Sequence, residues 1–154
     1  MNTLKLVVLA GLGSLFLLTG ALLFQYIGNM HPCKMCYWQR YPHLLAVAIS
    51  ILYFFTRMQS LKSVGFIAVS MSSAIGAYHA GVEKDWWQGP QSCTSGSING
   101  LTTDDLLEQI MTAPLVRCND IPWQLFGISM AGWNMIISLV LAFLWFKALK
   151  LRLS

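Results

Sequence analysis

Four apolar stretches constrain this chain most: Leu6 to Ile27, Tyr37 to Thr56, Ser63 to Val82 and Phe126 to Phe146. Each is about as long as the roughly 20 residues that a helix rising 1.5 Å per residue needs to cross a hydrocarbon core about 30 Å thick. Only 10% of the 154 residues are charged, against about 25% in a soluble globular domain, which excludes most soluble folds. The expectation is an all-α integral membrane protein, a single domain over residues 1–154. It is a four-transmembrane-helix bundle with spans at about 6–27, 37–56, 63–82 and 126–146, and outer loops at about 28–36 and 83–125. The first stretch follows Lys5 as the core of a signal peptide would. Its apolar run exceeds the roughly 7 to 15 residues of such a core and no small-x-small site follows, so it reads as a retained span.

Charge distinguishes the two faces. Lys5, Arg57, Lys62, Lys147, Lys150 and Arg152 share one side with no acidic residue among them, which makes that side cytoplasmic and puts both termini there. All 6 acidic residues, Glu83, Asp85, Asp104, Asp105, Glu108 and Asp120, fall in the long loop on the opposite side. The net charge of +4 is therefore a topological signal and adds nothing to a nucleic-acid reading. Cys33 and Cys36 lie in the first outer loop, Cys93 and Cys118 in the second. That face is away from the reducing cytosol, where dithiol and disulfide forms can both persist.

The second span is short of apolar residues. Its clean run, Leu44 to Thr56, covers only about 20 Å of helix, so the span must reach back to Tyr37 and take in Arg40 at the outer headgroup level. Pro42 then falls within the first turns of that helix, where it can kink the chain. In the third span, Ser72, Gly76 and Ala80 recur at intervals of four, a spacing that lets helix backbones approach closely in a bilayer. In the long loop, Thr102 to Asp105 has the form of a capping box ahead of Leu106, Leu107, Ile110 and Met111, which predicts a short amphipathic helix on the outer membrane surface. The Ser- and Gly-rich stretch 92–100 before it predicts a mobile segment carrying Cys93.

Cys33 and Cys36 form a C-x-x-C pair just before a helix. Two thiols so spaced can close a small disulfide, and the positive end of the helix favours a thiolate, the attacking species in exchange. The same cysteines admit two other readings: one tetrahedral zinc held by Cys33, Cys36, Cys93 and Cys118, or two inert structural disulfides. Zinc sites more usually pair their knuckles, and here Cys93 and Cys118 stand far apart. Of the three connectivities, Cys33 with Cys36 and Cys93 with Cys118 is favoured, and a catalytic cycle would visit the others. Arg40, one turn after Cys36, is either a headgroup anchor or a cation that lowers the thiol pKa and holds a quinone carbonyl. His79, near the outer end of the third span, either donates to a membrane-borne acceptor or is satisfied by neighbouring helices. Trp86 and Trp87 read as an aromatic belt, and His31 and His43 as ordinary interfacial residues. Met130, at the outer end of the fourth span, is a packing residue or a cofactor contact.

These residues resemble the bacterial disulfide bond formation protein B (DsbB) family. The likeness rests on Pro32 to Cys36 with Arg40 after it, on the two later cysteines, and on Arg117 and Cys118 followed by Trp123, Phe126, Gly127, Met130 and Trp133. It implies an inner-membrane enzyme, a protein-disulfide:quinone oxidoreductase that reoxidises a periplasmic DsbA-like thioredoxin-fold oxidase and passes two electrons to ubiquinone or menaquinone. In the family scheme Cys93 is attacked by the partner, Cys118 closes the outer disulfide, Cys33 communicates with that pair, and Cys36 beside Arg40 faces the quinone. Arg40, His79 and Met130 are carried as quinone-side candidates, with His79 offset from the family's own histidine. Two alternatives are a vitamin K epoxide reductase-like enzyme, whose redox pair comes near its last helix, and a non-enzymatic membrane subunit with structural disulfides.

Overall fold

The computed structural model describes residues 2–90 and 117–151. Four long helices account for most of them: α1 (Thr3–Tyr26), α2 (Lys34–Thr56), α3 (Gln59–Glu83) and α4 (Met130–Lys150). Three of them, α1, α3 and α4, are long and apolar enough to cross a membrane. The α2 helix has a similar length of 23 residues but carries a polar first half. The predicted loop helix around Thr102 to Met111, and Cys93 with it, lie outside the described residues.

Three of the four helices, all but α3, start where a side chain serves their unpaired N–H groups. The Asn2 side chain accepts from the Lys5 N–H at the head of α1, and Ser129 Oγ accepts from the Gly132 N–H at the head of α4. At α2 the cap is a sulfur: Cys33 Sγ accepts from the Cys36 N–H at 3.2 Å. The α2 helix ends at Arg57, whose positive φ of 57° closes the helix through a bond to the Tyr53 carbonyl. The last helix begins at Met130, four residues beyond the start of its apolar run, because a small antiparallel hairpin intervenes. Strand β1 (Gln124–Leu125) pairs with β2 (Ile128–Ser129), and the turn uses positive φ at Phe126 (53°) and Gly127 (75°). Two left-handed residues in a two-residue loop match the twist of a hairpin.

The helices pack as neighbours around a square: α1 on α2 and α4, α3 on α2 and α4. Large apolar side chains point outward from all four, among them Phe16, Phe55, Ile67 and Phe143. A bundle apolar on its outside as well as its inside is suited to lipid. At the Thr3 and Lys150 end, the core closes around Leu6, Val7, Tyr53, Val69, Leu141 and Trp145. There Lys62, counted from the sequence as an inner-face charge, is buried. Its Nζ donates to the Ala148 and Leu151 carbonyls at 2.8 and 3.0 Å, satisfying the end of α4.

Small residues set the helix spacing. A Cβ on Gly76 would lie 3.1 Å from Met135 N and 3.2 Å from the Ala131 carbonyl, so α3 meets the α4 backbone closely, as the small-residue spacing predicts. A Cβ on Gly65 would stand 2.6 Å from the ring of fully buried Trp145. Gly65→Ala is therefore expected to destabilise the bundle by about 1–3 kcal/mol. At Gly20 a Cβ meets nothing within 4 Å, and Gly20→Ala should stabilise by up to about 1 kcal/mol through helix propensity. Thermal unfolding in one detergent would show the two shifts in opposite directions.

Candidate functional site

The end of the bundle opposite Lys62 gathers the chemistry. The C-terminal end of α1 returns through residues 28–33 to the head of α2, where Cys33 is both helix cap and first residue of the C-x-x-C pair. Both thiols of this pair are free, with Sγ atoms 2.9 Å apart. The Cys36 N–H at the helix head donates to Cys33 Sγ, which favours negative charge on Cys33 and places the shared proton on Cys36. Sharing that proton, chiefly, with His79 adding to it and burial opposing, lowers the Cys33 thiol to about 4.

Helix α3 brings His79 to the same point. It is buried, with Nε2 3.6 Å from Cys33 Sγ and donating to the Cys118 carbonyl at 3.2 Å. Cys118 is itself buried in a small cluster with Cys33, Met35 and Val82. It is disulfide-bonded, which removes it from the tetrahedral zinc set considered above. One imidazole thus touches a residue of the C-x-x-C pair and the backbone of a cysteine from the long loop.

Arg40, one turn beyond Cys36, turns toward α1, where its guanidinium donates to the Gln25 side chain and, at 3.3 Å, to the Ala21 carbonyl. It lines a cavity of about 770 Å³ together with Cys33, Cys36, His79, Met130 and Trp133. Most of the remaining wall is apolar, contributed by α1 residues such as Phe16, Leu17 and Phe24. That size and lining, apolar walls with a few converging polar groups, suit a small organic ligand. Five of the seven predicted site residues, Cys33, Cys36, Arg40, His79 and Met130, therefore face one space. Cys118 adjoins it, and Cys93 lies outside the described residues.

Two expectations are corrected. His43 is not interfacial: it is 2% exposed, inside the bundle, hydrogen-bonded to Ser14, Asn134 and Ser138. Placing Tyr37 to His43 within a span had the ingredients for this, since Cys36, Gln39 and His43 recur on one helical face. Glu83 is not a solvated loop residue either. It ends α3, with Oε1 3.8 Å from His79 Nε2 and Oε2 buried without a hydrogen-bond partner among the described residues. The His79–Glu83 spacing of four residues was the available signal. Gln39, Ser72 and Asn134 also join the site's hydrogen bonds, and nothing in their residue types announced it.

Relatives include an uncharacterized protein of Rickettsia prowazekii, 26% identical with 83% of this chain and 77% of the relative covered. Two others, each named Disulfide bond formation protein B, are 28% identical: one from Albidiferax ferrireducens (87% of this chain, 83% of the relative) and one from Shewanella sp. strain ANA-3 (80% and 78%). No solved structure matches. The family model described as Disulfide bond formation protein DsbB matches residues 3–148. With that match spanning the four helices and the dithiol between α1 and α2, the chain belongs to the DsbB family.

Proposed function

We propose that this protein is a quinone-coupled membrane thiol oxidase that reoxidises a DsbA-like thioredoxin-fold partner. The carrying observation is that a thiolate-stabilised dithiol, Cys33 and Cys36, opens with Arg40 onto one largely apolar cavity while packing against Cys118. All four helices cross the bilayer in this reading. Helix α2 presents Leu44, Ile51, Phe54 and Phe55 outward, and its Gln39 and His43 face the bundle. Lys5, Arg57, Lys62, Lys147 and Lys150 mark the opposite end as cytoplasmic, so the dithiol faces the periplasm.

Cys93 and Cys118 form the outer pair. A partner thiolate attacks Cys93, the outer disulfide breaks, and the partner leaves oxidised. The Cys118 thiolate then attacks Cys33 of the oxidised inner pair, and Cys93 closes on Cys118 to release Cys33 and Cys36 as a dithiol. Each exchange forms one S–S bond and breaks one, so two electrons and two protons move inward. His79, in contact with Cys33 and with the Cys118 backbone, holds the two partners of that transfer together. The cavity fits a quinone: Arg40 supplies donors for a ring carbonyl, and the apolar wall takes ring and tail. A bound quinone supplies the acceptor for two electrons and two protons. Arg40, held against α1, orients the polar end beside Cys36.

Purified protein, a reduced thioredoxin-fold partner and added quinone should form quinol in step with thiol loss. Intact cysteines without quinol formation would refute the reading. Arg40→Ala should raise the quinone KM about tenfold or more, the cost of a charge-assisted hydrogen bond, while partner attack at Cys93 is unchanged. An unaltered quinone dependence would reduce Arg40 to an anchor of α1.

A further inference from the structure

Cys33 Sγ, Cys36 Sγ and His79 lie within 4.8 Å of one another, a set that a thiophilic metal ion could use. The surrounding hydrogen bonds favour a different use. A metal-bound histidine donates its second ring N–H to an acceptor. Here the second nitrogen, Nδ1, faces the amide nitrogen of Gln39 at 2.8 Å.

The direction of that contact is fixed by main-chain carbonyls. Gln39 Nε2 also donates to the Met35 carbonyl at 3.3 Å, so its NH₂ group must point this way. Gln39 Oε1, on the other side, accepts from Asn134 Nδ2 at 2.8 Å. Asn134 is oriented in turn by Ser72. Ser72 Oγ spends its hydrogen on the Gln39 carbonyl at 3.0 Å and so can only accept from Asn134 Nδ2 at 3.3 Å. His43 Nε2 lies 3.2 Å from Asn134 Oδ1, leaving that oxygen as acceptor. At the far end the single hydrogen on His79 Nε2 is shared between the Cys118 carbonyl at 3.2 Å and Cys33 Sγ at 3.6 Å. Three carbonyls, those of Gln39, Met35 and Cys118, thus set every donor in one sense from α3 and α4 through α2 to His79.

We propose that Ser72, Asn134 and Gln39 are positioning residues that hold His79 with its hydrogen on Nε2, so that it donates to Cys33 and makes Cys33 the sulfur that carries the charge. None of the three touches the reacting sulfurs in this chain of bonds. They act by withholding a proton from Nδ1, which keeps the donor at the sulfur end. The inference rests on the assignment of Cys33 as the inner exchange sulfur. Its consequence is directional: when the inner pair is reduced, the charge rests on the thiol beside Cys118, and the proton on the thiol nearer Arg40. Other titratable or charged groups near Cys33 are Cys36 and Arg40 from α2, Glu83 from α3, and His31, Arg117 and Asp120 in the same cavity wall. None of them contacts Nδ1 in the structure.

The test needs neither partner nor quinone, so its failure is distinct from failure of the enzymatic reading. The full chain is reduced in detergent and alkylated with iodoacetamide across pH 3.5 to 8. Labelling at Cys33 and Cys36 is read by mass spectrometry, since Lys34 allows their separation by trypsin. In the parent protein Cys33 labels first at low pH. In Gln39→Met, which keeps side-chain length without the amide, the Cys33 midpoint should rise by about one pH unit, a roughly fivefold loss of labelling at pH 4. Unchanged labelling in a folded Gln39→Met protein overturns the proposal. As a check independent of any variant, ¹⁵N-histidine NMR on the parent chain has only 3 histidines to resolve. His79 with hydrogen on Nε2 and a bare Nδ1 is expected, and a hydrogen on Nδ1 overturns the proposal.

Discussion

Cys33→Ser is expected to fold normally and to pass no electrons from thiol to quinone, a loss of about a thousandfold or more, as for removal of other covalent nucleophiles. The choice of serine follows from the fold. Cys33 caps α2 through its sulfur, and serine is among the best N-cap residues, so the helix end survives while the exchange chemistry is lost. Cys33→Ala would add the loss of the cap, about 1 kcal/mol, and confuse the two effects. Quinone absorbance with a reduced thioredoxin-fold partner measures the first effect, and thermal unfolding the second. Retained quinol formation in Cys33→Ser would remove Cys33 from the electron path.

The second large effect concerns pH. The Cys33 thiol stands at about 4, and the Cys36 thiol is the leading cause. A lowered pKa leaves the thiolate populated at every pH above about 4, so alkylation of Cys33 should be nearly flat from pH 5.5 to 7.5 and fall only below that range. Cys36→Ala removes the principal donor. The midpoint then moves up toward the ordinary thiol value of about 8.5, and at pH 6.5 the thiolate fraction drops by about a hundredfold. The sign is unambiguous, because losing a donor to the charged form always favours the protonated one. A midpoint still near 4 in Cys36→Ala would assign the stabilisation to His79 and the helix end alone.

Much of this architecture was legible in the chain itself. Three apolar stretches became helices of the expected length because transfer from water to lipid depends on composition over a whole turn-by-turn window, which a sequence displays directly. The C-x-x-C pair announced itself by spacing, and Arg40 by its place one turn later. The start of α4 was not legible. Phe126, Ile128 and Met130 are apolar enough to extend the helix, but Gly127 and the Ser129 cap settle a hairpin first. His43 and Glu83 were misplaced for a related reason. Composition reports that a polar group stands near a membrane surface, whereas burial depends on which helix face meets a neighbour. The Gln39, Asn134 and Ser72 bonds cross three helices and are invisible to any local pattern.

The buried Lys62 has a consequence for how the bundle works. Its ammonium joins the start of α3 to the end of α4 through two carbonyls, in a pocket with little access to water. Sliding α4 along its axis would strand that charge, and breaking such a charge-assisted pair of bonds costs about 3 kcal/mol or more. The two helices therefore share a fixed vertical register. A rearrangement at the opposite rim, around Cys33, Cys36 and His79, would proceed with α3 and α4 held in that register.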